Sequence, residues 1–136
     1  MTGCAVFAFT TVQSIQQKRM LAESRRSALD AYAAGKLDEA LKEFGYFFQH
    51  EKDDLELNLR FAEARARLPL ADGRHLAEAI DLYTTHGLKL LDAAPNSAEH
   101  ERRRRDILKR LLTIYGQAGM RFEAVQTGDR ILAGGP

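Results

Sequence analysis

The sequence predicts an all-α protein of three antiparallel helix pairs stacked on one another. Apolar residues recur at steps of three and four through most of the 136 residues, which is the period of one helical face. Each of three short turns is followed within one helical turn by a small alanine, at Ala40, Ala79 and Ala124. The prolines Pro69, Pro95 and Pro136 lie where this pattern breaks, as expected because proline inside a helix costs about 3 kcal/mol.

The first helix pair is predicted from an uninterrupted stretch and a glycine. No Gly or Pro occurs across residues 11–34, so we expect one long helix there. It ends at Gly35, where a residue without a Cβ adopts the left-handed cap. The second helix is expected over residues 37–49, with the small Ala40 one turn before the bulky Phe44.

The second pair begins at two aspartates. Asp53 as N-cap and Asp54 in the first turn favour a helix over residues 55–68, because both acids suit the positive end of the helix dipole. After a loop that contains Pro69, the next helix is expected over residues 74–93, with Asp72 as its cap.

The third pair follows Pro95. Asn96 and Ser97 are equal candidates for the cap of a helix that runs to Ala118, and Gly119 ends it as Gly35 ends the first. The last helix is expected over residues 120–133. Its apolar side is predicted to consist of Phe122, Val125, Ile131 and Leu132.

Composition excludes some functional classes. With 20 basic and 19 acidic side chains the net charge is only +1, which argues against a general nucleic-acid binder. A hydrophobic content of 45% and a charged content of 29% indicate a folded chain. Cys4 is the single cysteine, so no intrachain disulfide can form.

Residues 1–20 form an apolar N-terminal segment with two interpretations. The uncharged run at residues 3–12 is about half as long as a membrane-spanning helix requires. It is either the start of the long first helix or the remnant of a membrane anchor. In the second case the basic residues that follow would place the body in the cytoplasm, at the face of a membrane. These residues are Lys18, Arg19, Arg25 and Arg26.

The turns resemble those of the tetratricopeptide repeat, a helix pair of about 34 residues. The resemblance covers residues 21–136, in units of about 21–54, 55–95 and 96–136. Its motif positions are Gly35, Leu37, Ala40 and Phe44, then Leu76, Ala79 and Tyr83, then Tyr115, Gly119, Ala124 and Pro136. In the third unit Gly128 replaces the aromatic residue, and the intervals between the small alanines exceed the family's period.

The resemblance implies a short right-handed solenoid that acts as a protein-interaction scaffold without catalysis. The first helix of each pair would line a concave groove for a peptide or protein partner. By position the groove residues are Arg25, Leu29, Tyr32, Leu59, Glu63, Lys109, Thr113 and Gln117. The alternative is a structural segment of a longer repeat array, similar to bacterial arrays that follow a membrane segment, with no ligand of its own. Self-association stays open in either case.

Catalytic, metal and cofactor sites are not predicted. The four histidines lack metal-ligand spacing, and there is no phosphate loop or nucleophile motif. The run from Arg102 to Arg105 is interpreted as a solvated face in preference to an anion site. Within it Arg102, Arg105 and Lys109 are expected to align, and Asp106 and Arg110 to form an ion pair.

Overall fold

The computed structural model describes residues 3–134, with side chains described for residue 8 and residues 10–134. These residues form six helices and no strand, so the all-α class is confirmed. The helices are α1 (Gly3–Ala33), α2 (Leu37–His50), α3 (Leu55–Arg67), α4 (residues 74–93), α5 (Ala98–Gln117) and α6 (Arg121–Ala133). The Cys4 side chain and Pro136 lie outside the described part.

The chain divides into two compact units, Met1–Glu51 and Lys52–Pro136. The first unit consists of α1 packed on α2. In the second unit α3 packs on α4 and α5 packs on α6, with α5 also contacting α4.

The two predicted glycine turns are confirmed and share one geometry. Gly35 has φ +78° and Gly119 has φ +73°, both in the left-handed region. The amide of the residue after each glycine donates a hydrogen bond to the carbonyl five residues before it. The Lys36 amide lies 2.9 Å from the Ala31 carbonyl oxygen, and the Met120 amide lies 2.9 Å from that of Tyr115. This is the Schellman pattern, which satisfies carbonyls that the helix end would leave unpaired.

The core of the first unit uses small residues to bring its helices close. Ala28 on α1 is fully buried, as are Ala40 and Phe44 on α2, and Phe47 is 5% exposed. Tyr32 packs against Phe44 with ring centroids 6.3 Å apart. By contrast, residues 10–20 of α1 are exposed. None of the described helices has both the length and the apolar character that crossing a membrane requires.

The core of the second unit lies between α3, α4 and α5. Its buried side chains include Leu57, Ala62, Ala64, Leu76, Ala79, Tyr83, Leu91, Ile107 and Leu111. Helix α4 is not regular. It begins as an α-helix (Arg74–Asp81), continues as a π-helix (Leu82–Leu88) and ends as an α-helix (Lys89–Ala93). The sequence pattern did not predict this change of pitch.

Two capping predictions are corrected and one alternative is resolved. The cap of α3 is Asp54, not Asp53, because its carboxylate accepts a hydrogen bond from the Leu57 amide at 3.1 Å. Asp72 does not cap α4: it sits in a 3₁₀ turn at φ +58°, and Gly73 takes the N-cap position. Ser97 caps α5 by accepting from the His100 amide at 3.1 Å.

The predicted apolar side of the last helix is also wrong. Phe122, Val125 and Leu132 are 69%, 65% and 79% exposed, and the buried residue of α6 is Thr127. Of the four predicted apolar residues only Ile131 is half-buried, where it lines a pocket beside Leu108 of α5.

Candidate functional site

The candidate site is a cleft in the second unit between α3 and α5, which we call the α3–α5 cleft. Its volume is about 230 Å³. Both walls are charged and the floor is apolar. It is lined by Glu56, Leu59, Arg60 and Glu63 of α3, Tyr83 of α4, and Glu99, Arg102, Arg103, Asp106, Ile107 and Arg110 of α5.

The floor of the cleft depends on the π-helical stretch of α4. Gly87 lies so close to both wall helices that a Cβ there would stand 3.3 Å from Leu59 Cδ2 and 3.6 Å from Ile107 Cδ1. The same stretch carries Tyr83, which is 2% exposed and still reaches the cleft. Short π-helical insertions are frequent at functional sites, because the changed pitch aims a side chain where a regular helix would not.

Two ion pairs join the walls of the cleft. The Glu63 carboxylate on α3 lies 3.1 Å from Nη1 of Arg110 on α5, and Glu56 lies 3.7 Å from Arg103. Arg60 connects the two glutamates along α3, at 3.3 Å from each. A continuous chain of alternating charges therefore crosses from one helix to the other.

The wall on α5 is ordered by its own first turns. The Glu99 carboxylate accepts from Arg102 at 2.6 Å and from Arg103 at 3.2 Å. These hydrogen bonds, that of Arg102 first, lower the pKa of Glu99. For Arg110, burial opposes the charged form, but the Glu63 carboxylate and the Tyr83 hydroxyl outweigh it and raise the pKa.

A second depression of about 460 Å³ continues the cleft along α5. It is lined by Asp106, Lys109, Arg110 and Thr113, and it shares Asp106 and Arg110 with the cleft. Within residues 3–134, Asp106 and Lys109 form no ion pair, so both charges are available to a ligand. The predicted pair between Asp106 and Arg110 is wrong, because Arg110 reaches Glu63 and Tyr83, which are less exposed partners on other helices.

The structure distributes the eight predicted groove residues unevenly. Leu59 and Glu63 line the cleft, and Lys109 and Thr113 line the adjoining depression. Gln117 is exposed one turn further along α5.

The other three predicted groove residues, Arg25, Leu29 and Tyr32, belong to the first unit, where they are half-buried on α1. A depression between α1 and α2 is lined by different residues, namely Met20, Glu23, Ser24, Ser27, Lys42, Glu43 and Tyr46.

Other residues of the cleft were missed from the sequence. Glu56 and Arg60 are two of them, and together with the predicted Glu63 they recur at steps of four and three, which places all three on one face of α3. That spacing was the available signal. Arg102, Arg105 and Lys109 keep the predicted spacing along the continuous helix α5, but they line different depressions: Arg102 the cleft, Lys109 its continuation and Arg105 a pocket against α6.

Each of the three glutamates of the cleft is held by at least one arginine. Across the described chain, no three His, Cys, Asp or Glu side chains are grouped so that they could hold a metal ion.

Comparison of the chain with protein-family models, with curated proteins and with solved structures gives no match.

Proposed function

We propose that this chain is a protein-interaction module of the tetratricopeptide type, which binds a peptide segment in the α3–α5 cleft and catalyses no reaction. The observation that carries the proposal is the position of the cleft. It lies between α3 and α5, the first helices of two consecutive predicted pairs, and four of the expected groove residues line it or its continuation.

The ion pairs across the cleft support this proposal energetically. Because Glu63 and Arg110 already pair across the cleft, this part of its charged lining is ordered before a ligand binds. Preorganisation of this kind improves affinity by reducing the entropy lost on association.

The partner is proposed to be a short peptide of mixed charge with one apolar side chain. Leu59, Ile107 and the Tyr83 ring offer an apolar floor for that side chain. Asp106 would attract a basic group of the peptide and Lys109 an acidic one. The cleft and its continuation carry nearly balanced charge, so neither a strongly acidic nor a strongly basic segment fits best.

A random peptide library selected on the intact chain tests the proposal. Affinities of the selected peptides are then measured for Asp106→Lys and Lys109→Glu. Matched controls are Asp129→Lys on α6 and Lys89→Glu on α4, which are exposed and lie outside the cleft. We expect about a tenfold loss for each cleft variant, equivalent to about 1.4 kcal/mol, and unchanged affinity for the controls. Equal affinities for all four variants would contradict the proposal.

A second candidate function is a structural segment of a longer repeat array. The observation in its favour is the exposed apolar face of α6, formed by Phe122, Val125 and Leu132. Three large apolar side chains on one helix are what a segment that packs on a neighbouring repeat would present. Membrane attachment through residues 1–20, a cytoplasmic location and association with a second copy remain further proposals from the sequence.

A further inference from the structure

A second charged pocket lies between α5 and α6, on residues that the α3–α5 cleft does not use. Its volume is about 230 Å³, roughly that of eight water molecules. Leu108 and Ile131 form an apolar wall. Three arginines, Arg104, Arg105 and Arg130, converge on the same space.

Glu101, which lines the pocket, and Asp92 are both engaged by Arg104. Glu101 lies 2.6 Å from Nη1 of Arg104, and Asp92 lies 2.9 Å from its Nη2. Arg104 is thereby held in place and its charge is compensated. Its Nε is buried without a hydrogen-bond partner among the described residues.

The other two guanidinium groups have no carboxylate partner among the described residues. Neither Arg105 nor Arg130 makes an ion pair with any residue from 3 to 134. An anion placed in the pocket would be attracted by both charges. The carbonyl end of α6 carries a partial negative charge, and the positive charge of Arg130 in the last turn of this helix offsets it.

We propose that this pocket binds a small carboxylic acid with a short apolar chain. The planar guanidinium fork matches a carboxylate with two parallel hydrogen bonds, so Arg105 and Arg130 would hold the acid group. The apolar chain would lie on Leu108 and Ile131. The pocket's small volume suits a free small molecule better than a folded partner.

Hexanoate is the probe, and hexanamide, which has the same chain without the charge, is its control. Binding to the whole chain is followed by the methyl signals of Leu108 and Ile131 in NMR titrations. The methyl groups of Leu59 and Ile107 in the α3–α5 cleft show whether hexanoate binds there instead. We expect an affinity on the order of 1 mM for hexanoate and none for hexanamide.

Arg105→Gln and Arg130→Gln identify the anion-binding groups. Neither substitution breaks an ion pair of the described chain, so both variants should fold. Each should weaken hexanoate binding about tenfold, because a charge-assisted hydrogen bond is lost. Arg121→Gln, an exposed arginine on the same helix outside the pocket, should bind hexanoate normally.

Three results would overturn the inference. They are no saturable shift of the Leu108 and Ile131 methyls, equal binding of hexanamide, or equal weakening by Arg121→Gln. If inorganic phosphate binds as tightly as hexanoate, the apolar wall has no role and the proposed ligand class is wrong. The outcome is independent of the proposed function, because peptide binding in the α3–α5 cleft should be unchanged by Arg105→Gln and Arg130→Gln.

Discussion

The ion pair between Glu63 and Arg110 should couple α3 to α5 by a measurable but small free energy. The perturbation is a double-mutant cycle with Glu63→Gln, Arg110→Gln and both together. At the observed separation of 3.1 Å, Coulomb attraction in water is about 1.3 kcal/mol. The Glu63 side chain is 22% exposed and Arg110 is 50% exposed, so solvent screens the pair and exposed pairs measure only about 0.2–1 kcal/mol.

We expect a coupling free energy of about 0.5–1 kcal/mol for this pair, near the upper end of that range. The reason is that Glu63 is largely buried and that Arg110 also bonds the Tyr83 hydroxyl, which fixes its orientation. Arg60 keeps Glu56 as a partner in every variant, so it does not confuse the cycle.

Amide hydrogen exchange under native conditions is the assay, because it reports the second unit separately from the first. The free energy of opening is taken from buried amides of α3 and α5, such as those of Leu57 and Leu111. The control cycle uses Glu99 and Arg102, which pair at 2.6 Å within α5 but are 49% and 69% exposed. That pair should couple more weakly than Glu63 and Arg110, because both of its side chains are screened by solvent. Equal coupling in both cycles, or none between Glu63 and Arg110, would refute the view that ion pairs fix the cleft walls.

Four further substitutions test the fold, each measured by urea unfolding against the wild type. Gly119→Ala should destabilise by about 1–2 kcal/mol because φ is +73°, whereas Gly45→Ala inside α2, where a Cβ meets nothing, should stabilise by about 0.5–1 kcal/mol. Ala40→Leu should cost about 1–3 kcal/mol, since Ala40 is fully buried between α1 and α2. Burial raises the pKa of Tyr115, with Glu123 adding to the increase and Arg130 opposing it. The folded state therefore favours the protonated phenol. Its contribution to stability is fully present below the unfolded pKa of about 10 and should be lost as the pH rises through the folded pKa. Tyr115→Phe should remove that alkaline loss. An alkaline loss of stability that persists in Tyr115→Phe would contradict the argument from burial. The glycine argument fails if Gly119→Ala and Gly45→Ala shift the free energy of unfolding in the same direction. The packing argument fails if Ala40→Leu leaves the free energy of unfolding unchanged.

The sequence predicted those features that depend on local chemistry. A glycine before a new helix can adopt a positive φ without strain, so Gly35 and Gly119 could be placed as turns from the sequence alone. Helical periodicity together with the prolines sufficed to predict the class and the approximate helix bounds. Small alanines such as Ala40 and Ala79 mark close helix contacts, and both are fully buried.

Features that depend on which neighbour is present could not be predicted in this way. An apolar stripe shows that a helix has a face, but not that anything covers it, and Phe122 on α6 stays exposed. Sequence spacing predicted that Arg110 pairs with a residue of its own helix. In the structure it contacts Glu63 and Tyr83 on other helices, at a less exposed position. The π-helical stretch of α4, in which Gly87 approaches Leu59 and Ile107 closely, has no signature in the periodicity of the sequence.

The most direct test of the account is to map where a library-selected peptide binds, by amide chemical shifts of the intact chain. We expect the largest changes at the α3–α5 cleft and its continuation, around Leu59, Ile107 and Lys109. Changes centred on the exposed face of α6, around Phe122 and Val125, would contradict it and favour the structural segment. Failure of the library to yield any peptide that binds would equally contradict a peptide-binding role for this cleft.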